Sequence, residues 1–341
     1  LKNIYICKNN AFYRCFFMNK DNNGVVTPMV SVVMIAYNME KYISTAIKGV
    51  VTQKTDFPVE LIVMDDNSTD STPQIIERWQ REYPAIIVNV RNPHNLGLQR
   101  NYLEGFARCR GKYMAICDAD DYWFYKKKLL RQVRYMESHP ECSITFHRMV
   151  NYYEASGEKS LSNGGQRADT TLADLCRSNY ITNSSVLYRR EQVDLKKLPD
   201  WIKSDRSPDY AMHVLYGRTG NIHYFRRPMG VYRKSAGSSW SLTKEAERLK
   251  MSLAVRQRLM ETIKDNEEAV RGMKISSANI LHRMMALTED EEERKLVVDM
   301  AKEMGIILPE EKASSGEKGG GKSLLTSIRR VVSRLIPLPE P

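Results

Sequence analysis

Between Val30 and Trp123 the chain alternates short apolar runs with segments of helical period, and each major run stops abruptly at polar residues. This alternation constrains the fold more than any other feature. The run Val30–Ala36 is rich in β-branched residues and ends at Tyr37 and Asn38, and Glu60–Met64 ends at Asp65 and Asp66. A third run, Lys112–Cys117, ends in Asp118, Asp120 and Asp121. Helical patterns over Glu40–Gln53, Thr72–Tyr83 and Leu98–Cys109, with a further strand at Ile86–Val90, complete a series of βαβ units. The expected fold class is therefore α/β, with a mostly parallel sheet flanked by helices. Right-handed connections bring the polar strand ends to one edge, where open parallel sheets bind ligands. Carboxylates as close as Asp118, Asp120 and Asp121 repel one another and lose stability when they leave water unpaired. A divalent cation is the simplest reason for them. The competing reading, a polar turn with Asp121 as a helix N-cap, does not explain why the other strand ends converge with it.

Beyond Lys126 the pattern gives a helix to about Ser138, a strand from Ser143 to Met149, and a loop from Asn151 to Asp169. A strand is expected over Tyr180–Tyr188 and a closing strand over Met229–Lys234, with the isolated acids Asp205 and Asp209 around Ser207 and Pro208 between them. From Leu242 to Met304 the sequence is helical and charged. The expected organisation is an N-terminal extension (1–28), an α/β domain (29–241), a helical appendage (242–308), a flexible linker (309–322) and a basic amphipathic helix (323–336).

A net charge of +11 over 341 residues calls for an anionic partner: nucleic acid, an anionic membrane or a phosphorylated substrate. Nucleic acid is disfavoured, since the basic residues lack interleaved aromatics. The six cysteines include no C-x-x-C pair, which argues against a zinc knuckle or a disulfide framework and for a reduced, cytoplasmic setting. No apolar stretch has the length of a membrane span, and Lys8, Asn9, Asn10 and Arg14 interrupt any signal-peptide core. Met18 and Met29 are candidate translation starts. Gly316–Ser323 satisfies the phosphate-loop pattern, but no buried strand precedes it, so it reads as linker. Ser323–Ile336 places Leu324, Leu325, Ile328, Val331, Val332, Leu335 and Ile336 on one face, with Arg329, Arg330 and Arg334 elsewhere. Such a helix suits the inner face of the cytoplasmic membrane, as a peripheral contact with anionic lipid, or packing on a protein surface.

Five motifs in order, Val30–Asn38, Val63–Asp70, Asn95–Asn101, Asp118–Asp121 and Val231–Arg233, resemble glycosyltransferase family 2 over about residues 28 to 241. The resemblance implies a GT-A fold (Rossmann-like) and an inverting enzyme that uses a nucleotide-diphosphate sugar. It implies that Asp66 meets the nucleobase, with Ile35 and Tyr37 flanking it. Asp118 would lie near the ribose or the metal, and Asp120 would hold Mn²⁺ or Mg²⁺ against the diphosphate, hard oxygen ligands suiting such cations. Arg100 and Asn101 would lie near the nucleotide. Asp209 matches the general base, with Asp205 as second candidate. The family often carries a histidine where this chain has Ser235, which leaves the third metal ligand open. His94, His147, His213 and His223 read as loop or core residues. The implied function is a single sugar transfer, from a UDP-sugar, to a glycan or lipid-linked glycan of the cell surface. A GDP- or dTDP-sugar donor and a non-catalytic sugar-nucleotide or glycan-binding relative are the alternatives.

Overall fold

The computed structural model describes residues 27–204, 208–234 and 243–308. The N-terminal extension, Asp205, Ser235, the phosphate-loop pattern, the linker and the basic amphipathic helix all lie outside the described residues, apart from Thr27 and Pro28.

The chain divides into two units, with the second beginning in earnest at Glu245. The first is built as the alternation predicts. Strands β1 (Val30–Ala36), β2 (Val59–Asp65), β3 (Ile87–Arg91) and β4 (Tyr113–Ile116) form a parallel block in the order β3-β2-β1-β4. Their connections run through α1 (Ile43–Val51), α2 (Thr72–Glu82) and α3 (Leu98–Ala107). The strands are nearly continuous apolar runs because both faces are covered: Val32, Val33, Met34, Leu61, Val63 and Met114 are wholly buried. Helix α3 comes close to the sheet at Gly105, where an added Cβ would stand 2.7 Å from Val33 Cγ1. That approach is what lets the neighbouring Tyr102 reach the strand ends.

Past β4 the sheet becomes mixed. The order continues β4-β9-β6-β10-β5, with β5 (Tyr122–Trp123), β6 (Cys142–Tyr153), β9 (Leu187–Arg189) and β10 (Asn221–Lys234). Strand β9 is antiparallel to both neighbours, whereas β6 and β10 run parallel. Helices α4 (Lys128–Ser138), α5 (Leu172–Arg177), α6 (Asp200–Ser204) and α7 (Pro208–Gly217) complete the first unit's helices among the described residues, with Cys176 and Arg177 of α5 assigned to the second unit.

Three expectations are corrected here. The strand expected over Tyr180–Tyr188 is instead a 3-10 turn at Asn183–Ser185 followed by the short β9. The polar side chains there favour the turn: Ser185 bonds the Thr182 carbonyl through its amide (2.9 Å) and its hydroxyl (2.6 Å). The closing strand is more than twice the expected length, and the loop after Asn151 contains β7 (Lys159–Leu161) and β8 (Asp169–Thr170).

The second unit contains helices α8 (Glu245–Thr262), α9 (Glu267–Leu287) and α10 (Glu291–Glu303). Asn266 and Asp290 cap α9 and α10 by accepting the amides of Ala269 and Glu293, each at 2.9 Å. Gly305, at φ 61°, ends α10 in the left-handed conformation that favours glycine. Among the described residues no helix is long and apolar enough to cross a membrane.

Candidate active site

The carboxyl ends of β1, β2 and β4 meet at one edge, and each is fixed there by its own polar residues. Asn38 and Asn67 follow β1 and β2 with φ of 55° and 61°, a conformation asparagine tolerates better than most residues. Asn38 stitches the two ends together: its amide donates to Ser68 Oγ (2.9 Å) and its Oδ1 accepts from the Thr69 amide (2.8 Å). Tyr37, 45% exposed, holds its ring open beside them, while Ile35 is half-buried.

Asp66 is 3% exposed and already well supplied with donors. Its Oδ1 accepts from Asn92 Nδ2 and the Leu96 amide, both at 2.8 Å, and its Oδ2 accepts from the Gly97 amide at 2.9 Å. An ionised carboxylate has about four lone-pair sites, so roughly one remains for a ring N–H. Its principal work within the chain is to hold the loop from Asn92 to Gly97 against the end of β2.

Asp118 at the end of β4 is held more tightly still. Tyr102 donates its phenol to Oδ1, and Oδ2 accepts from Asn183 Nδ2 (3.1 Å) and Ser184 Oγ (3.2 Å). The backbone joins in, since the Asp118 amide donates to Ser184 Oγ at 3.0 Å, and Asn183 also donates to the Tyr102 oxygen at 2.7 Å. Trp123 fixes the 3-10 turn from below through a 2.7 Å bond from Nε1 to the Ser184 carbonyl. Sequence reasoning placed Tyr102 on the apolar stripe of α3 and gave no role to Asn183 or Ser184. The signal available was weak: a polar Asn183–Ser185 run at the heart of an expected strand.

Asp120 stands in contrast. Among the described residues only its own backbone amide donates to it, and burial, with the Asp118 charge next, pushes its carboxyl up to about 6. The Arg233 guanidinium pulls the other way, and Glu154 adds to the upward shift. Asp121 does not cap α4, which starts at Lys128; its Oδ1 accepts the Arg233 amide at 2.9 Å, tying the acidic turn to β10. Burial raises its carboxyl well above the usual range, reinforced by Asp120 and Asp118.

Asp209 lies in the first turn of α7, where the helix dipole favours a carboxylate. Its charge raises the phenols of Tyr102 and Tyr232, after burial and alongside Asp118 and Asp120. Asp118, Asp120 and Asp209 thus all lie close enough to Tyr102 and Tyr232 for their charges to be felt there.

Arg100 and Asn101, expected near the nucleotide, lie beside the loop that Asp66 holds: Asn92 bonds both Asp66 and Asn101, and Arg100 shares a cavity with Leu96. Asn101 is 2% exposed, and its amide is engaged on both sides, donating to the Met64 carbonyl (3.1 Å) and accepting from Asn92 Nδ2 (2.9 Å). It supports the loop and presents no group to a ligand. Arg100 is two residues from Tyr102, hence on the other side of α3, and lines that cavity, of about 880 Å³, with Leu103, Leu195 and Leu198 as well.

The fit to a divalent cation follows from the donor set. Among the described residues no three His, Cys, Asp or Glu side chains converge on one metal position. Asp118 already accepts from Tyr102, Asn183 and Ser184, which, as at Asp66, leaves about one lone pair, on Oδ1, for the ribose or a metal. Asp120 fits: it is an open hard-oxygen ligand in a like-charged pocket, which a cation would neutralise. His147 and His213 are buried, which lowers their imidazoles to about 3; their Nδ1 atoms bond the Arg148 carbonyl and the Tyr188 phenol, and among the described residues neither groups with the acids.

Comparison with known proteins gives a consistent picture. The family model described as glycosyl transferase family 2 matches residues 31–197. An uncharacterized Mycobacterium tuberculosis protein is 36% identical over 213 residues, covering 62% of this chain and 60% of that protein. This chain thus spans about 60% of the length of that curated relative. The Escherichia coli UDP-Glc:α-D-GlcNAc-diphosphoundecaprenol β-1,3-glucosyltransferase WfaP is 29% identical over 133 residues, 37% of this chain and 46% of its own. Among solved structures, S. aureus TarS 1–349 in complex with UDP-GlcNAc superposes with a TM-score of 0.60 at 20% identity, covering 81% of this chain and 80% of that one. At that identity the likeness shows the fold, which is GT-A.

Proposed function

Residues 31–197 belong to glycosyltransferase family 2, and on that premise we propose that the protein is a metal-dependent inverting glycosyltransferase making single additions to a cell-surface glycan. The donor is a nucleotide-diphosphate sugar with uridine as its base, as in the complex of TarS and the name of WfaP. The acceptor is a glycan or lipid-linked glycan. The observation that carries this reading is that the parallel strands β2 and β4 end at Asp66 and Asp118 on one sheet edge, with Asp120 in the turn beyond and the charge of Asp209, in the first turn of α7, felt at the same Tyr102 that bonds Asp118.

In this reading the nucleobase lies against Tyr37 and Ile35, with the remaining lone pair of Asp66 accepting a ring N–H. Asp118, locked by Tyr102, Asn183 and Ser184, orients the ribose. Asp120 holds Mn²⁺ or Mg²⁺, which when bound supplies positive charge to the diphosphate leaving group. Asp209 takes the proton of the acceptor hydroxyl as its oxygen attacks C1 from the face opposite the diphosphate. The C1–O bond to the diphosphate breaks, the configuration at C1 inverts, and the nucleoside diphosphate departs with the bonding pair.

The test is nucleotide release from a panel of UDP-, GDP- and dTDP-sugars with Mn²⁺, given acceptor extracts. Asp209→Asn is expected to lose at least about 100-fold in turnover while keeping donor affinity. Asp120→Ala is expected to lose turnover together with its response to Mn²⁺. Turnover unchanged in Asp209→Asn would reject the base, and release only from GDP- or dTDP-sugars would move the donor to the alternative class. Donor binding without turnover for any acceptor would favour a non-catalytic binding module.

A further inference from the structure

The turn between β5 and α4 and the bulge in β10 form a patch that the proposed transfer does not use. The register of β10 on β6 shifts between Phe225 and Pro228, so Arg226 and Arg227 bulge out unmatched, and both are exposed. The turn packs on that bulge: the Phe124 and Tyr125 amides both donate to the Met229 carbonyl at 3.1 Å, and the Arg227 guanidinium stands 4.5 Å from the centre of the Tyr125 ring. Lys126 and Lys127 continue the turn and are exposed. Phe124, 47% exposed, sits in their midst.

None of these four cations pairs with a carboxylate among the described residues, and the nearby Asp56 is engaged by Arg134 at 2.8 Å. Lys128, next in sequence, turns inward and is wholly buried, so the outward direction of Lys126 and Lys127 is not a default of the turn. A ring open to solvent within unpaired cations has the composition of a membrane-interface contact. Aromatic rings settle at headgroup depth, and cations are drawn to anionic lipid. A sulfated polysaccharide, which has charge but no apolar face, would account for the cations and leave the open phenylalanine without a reason.

We propose that Phe124, Lys126, Lys127, Arg226 and Arg227 dock the protein on an anionic membrane surface. The inference rests on the reading that the acceptor is lipid-linked. The patch and the acidic turn lie on the same two strands, Phe124 beside Met229 and Asp121 beside Arg233 of β10, so docking here holds the strand that carries the acidic turn at the bilayer surface.

Sedimentation of the full chain with phosphatidylcholine vesicles, with and without phosphatidylglycerol, tests it. The wild type is expected to bind only the anionic vesicles and to be released by salt. Lys126→Glu, Lys127→Glu, Arg226→Glu and Arg227→Glu combined are expected to weaken binding by about 100-fold or more. Phe124→Ser should weaken it several-fold while leaving the salt dependence unchanged. UDP affinity, read on the same preparations, should be equal in all variants, which verifies their folding. Vesicle binding by the charge-reversed variant at wild-type strength would overturn the proposal, assigning any membrane contact to another segment. So would loss of heparin binding with vesicle binding intact, which would make the patch a polymer site. Patch-dependent vesicle binding by a wild type that binds no nucleoside diphosphate would instead sink the donor reading and leave the docking surface standing.

Discussion

The two halves of the sheet contribute to the pocket in different ways. The parallel half, β3-β2-β1-β4, delivers the carboxylates: Asp66 and Asp118 stand where their own strands stop. Asp66 is held from within that half, by Asn92, Leu96 and Gly97, whereas the acidic turn is held largely by the mixed half: Asn183 and Ser184, which precede β9, bond Asp118, and the Arg233 amide of β10 bonds Asp121. A strand end is a local property, written in a handful of consecutive residues. A hydrogen bond between residues 65 or 112 positions apart is a property of the finished fold. The difference shows in the two neighbours of the acidic turn: among the described residues Asp118 is bonded from three side chains, while Asp120 has only its own amide.

If the mixed half is what makes Asp118 useful, removing its donors should hurt as much as altering the parallel half. Asn183→Ala with Ser184→Ala is expected to lower kcat/KM for the donor sugar by about 100-fold, from roughly 1.5 kcal/mol per lost bond to a charged group. Equal kcat/KM in the double variant would break the comparison. Tyr102→Phe removes one donor and should cost about 10-fold on the same scale, read as a rise in KM more than a fall in kcat.

Smaller effects concern stability. The Asp120 carboxyl sits near 6 in the folded chain against an ordinary 3.8, so the unfolded chain releases its proton first and wild-type stability falls as pH rises from about 4 to 6. Asp120→Asn escapes that loss. Its melting temperature should exceed the wild type's by about 3 °C at pH 7.5 without metal, after discounting for partial solvent access, with no gain at pH 3.5. No gain at either pH would mean that the pocket relieves its charge without a cation.

Lys128 gives the smallest expected effect. It is wholly buried, its Nζ bonds no partner, and burial lowers its ammonium to about 7, with the Trp123 ring centre 3.6 Å away as partial compensation. Between about 7 and 10.5 the unfolded chain binds the extra proton, so wild-type stability rises with pH across that window. Lys128→Met is expected to be more stable than wild type at pH 6 by about 1 kcal/mol in urea unfolding, the advantage vanishing near pH 10.5. A constant difference across pH would assign the effect to packing.

The parallel half was legible for a physical reason. Buried strands of a doubly covered sheet are apolar on both faces, so the step to Asp65 or Asp118 is abrupt, and the βαβ rule sends all such steps to one edge. Tyr102 was not legible as a site residue, because a phenol on an apolar helical stripe serves a core equally well until its partner is known. Arg100 and Asn101 fall within a matching motif, but the motif does not say that Asn101 supports the Asp66 loop through Asn92 or that Arg100 shares a cavity with Leu96; those are contacts of the finished fold. The 3-10 turn at Asn183–Ser185 reads as a strand because flanking Ile181, Val186 and Leu187 outweigh three polar residues wherever hydrophobicity alone is counted.

The buried carboxylate of Asp66 has a consequence for motion. Leu96 and Gly97 belong to an irregular loop, yet their amides end on an acceptor that is almost wholly out of water. Their hydrogens should exchange with deuterium far more slowly than those of an open loop, because exchange requires exposing Asp66 and detaching the loop from the end of β2. The wall of the pocket then opens as one cooperative piece or not at all.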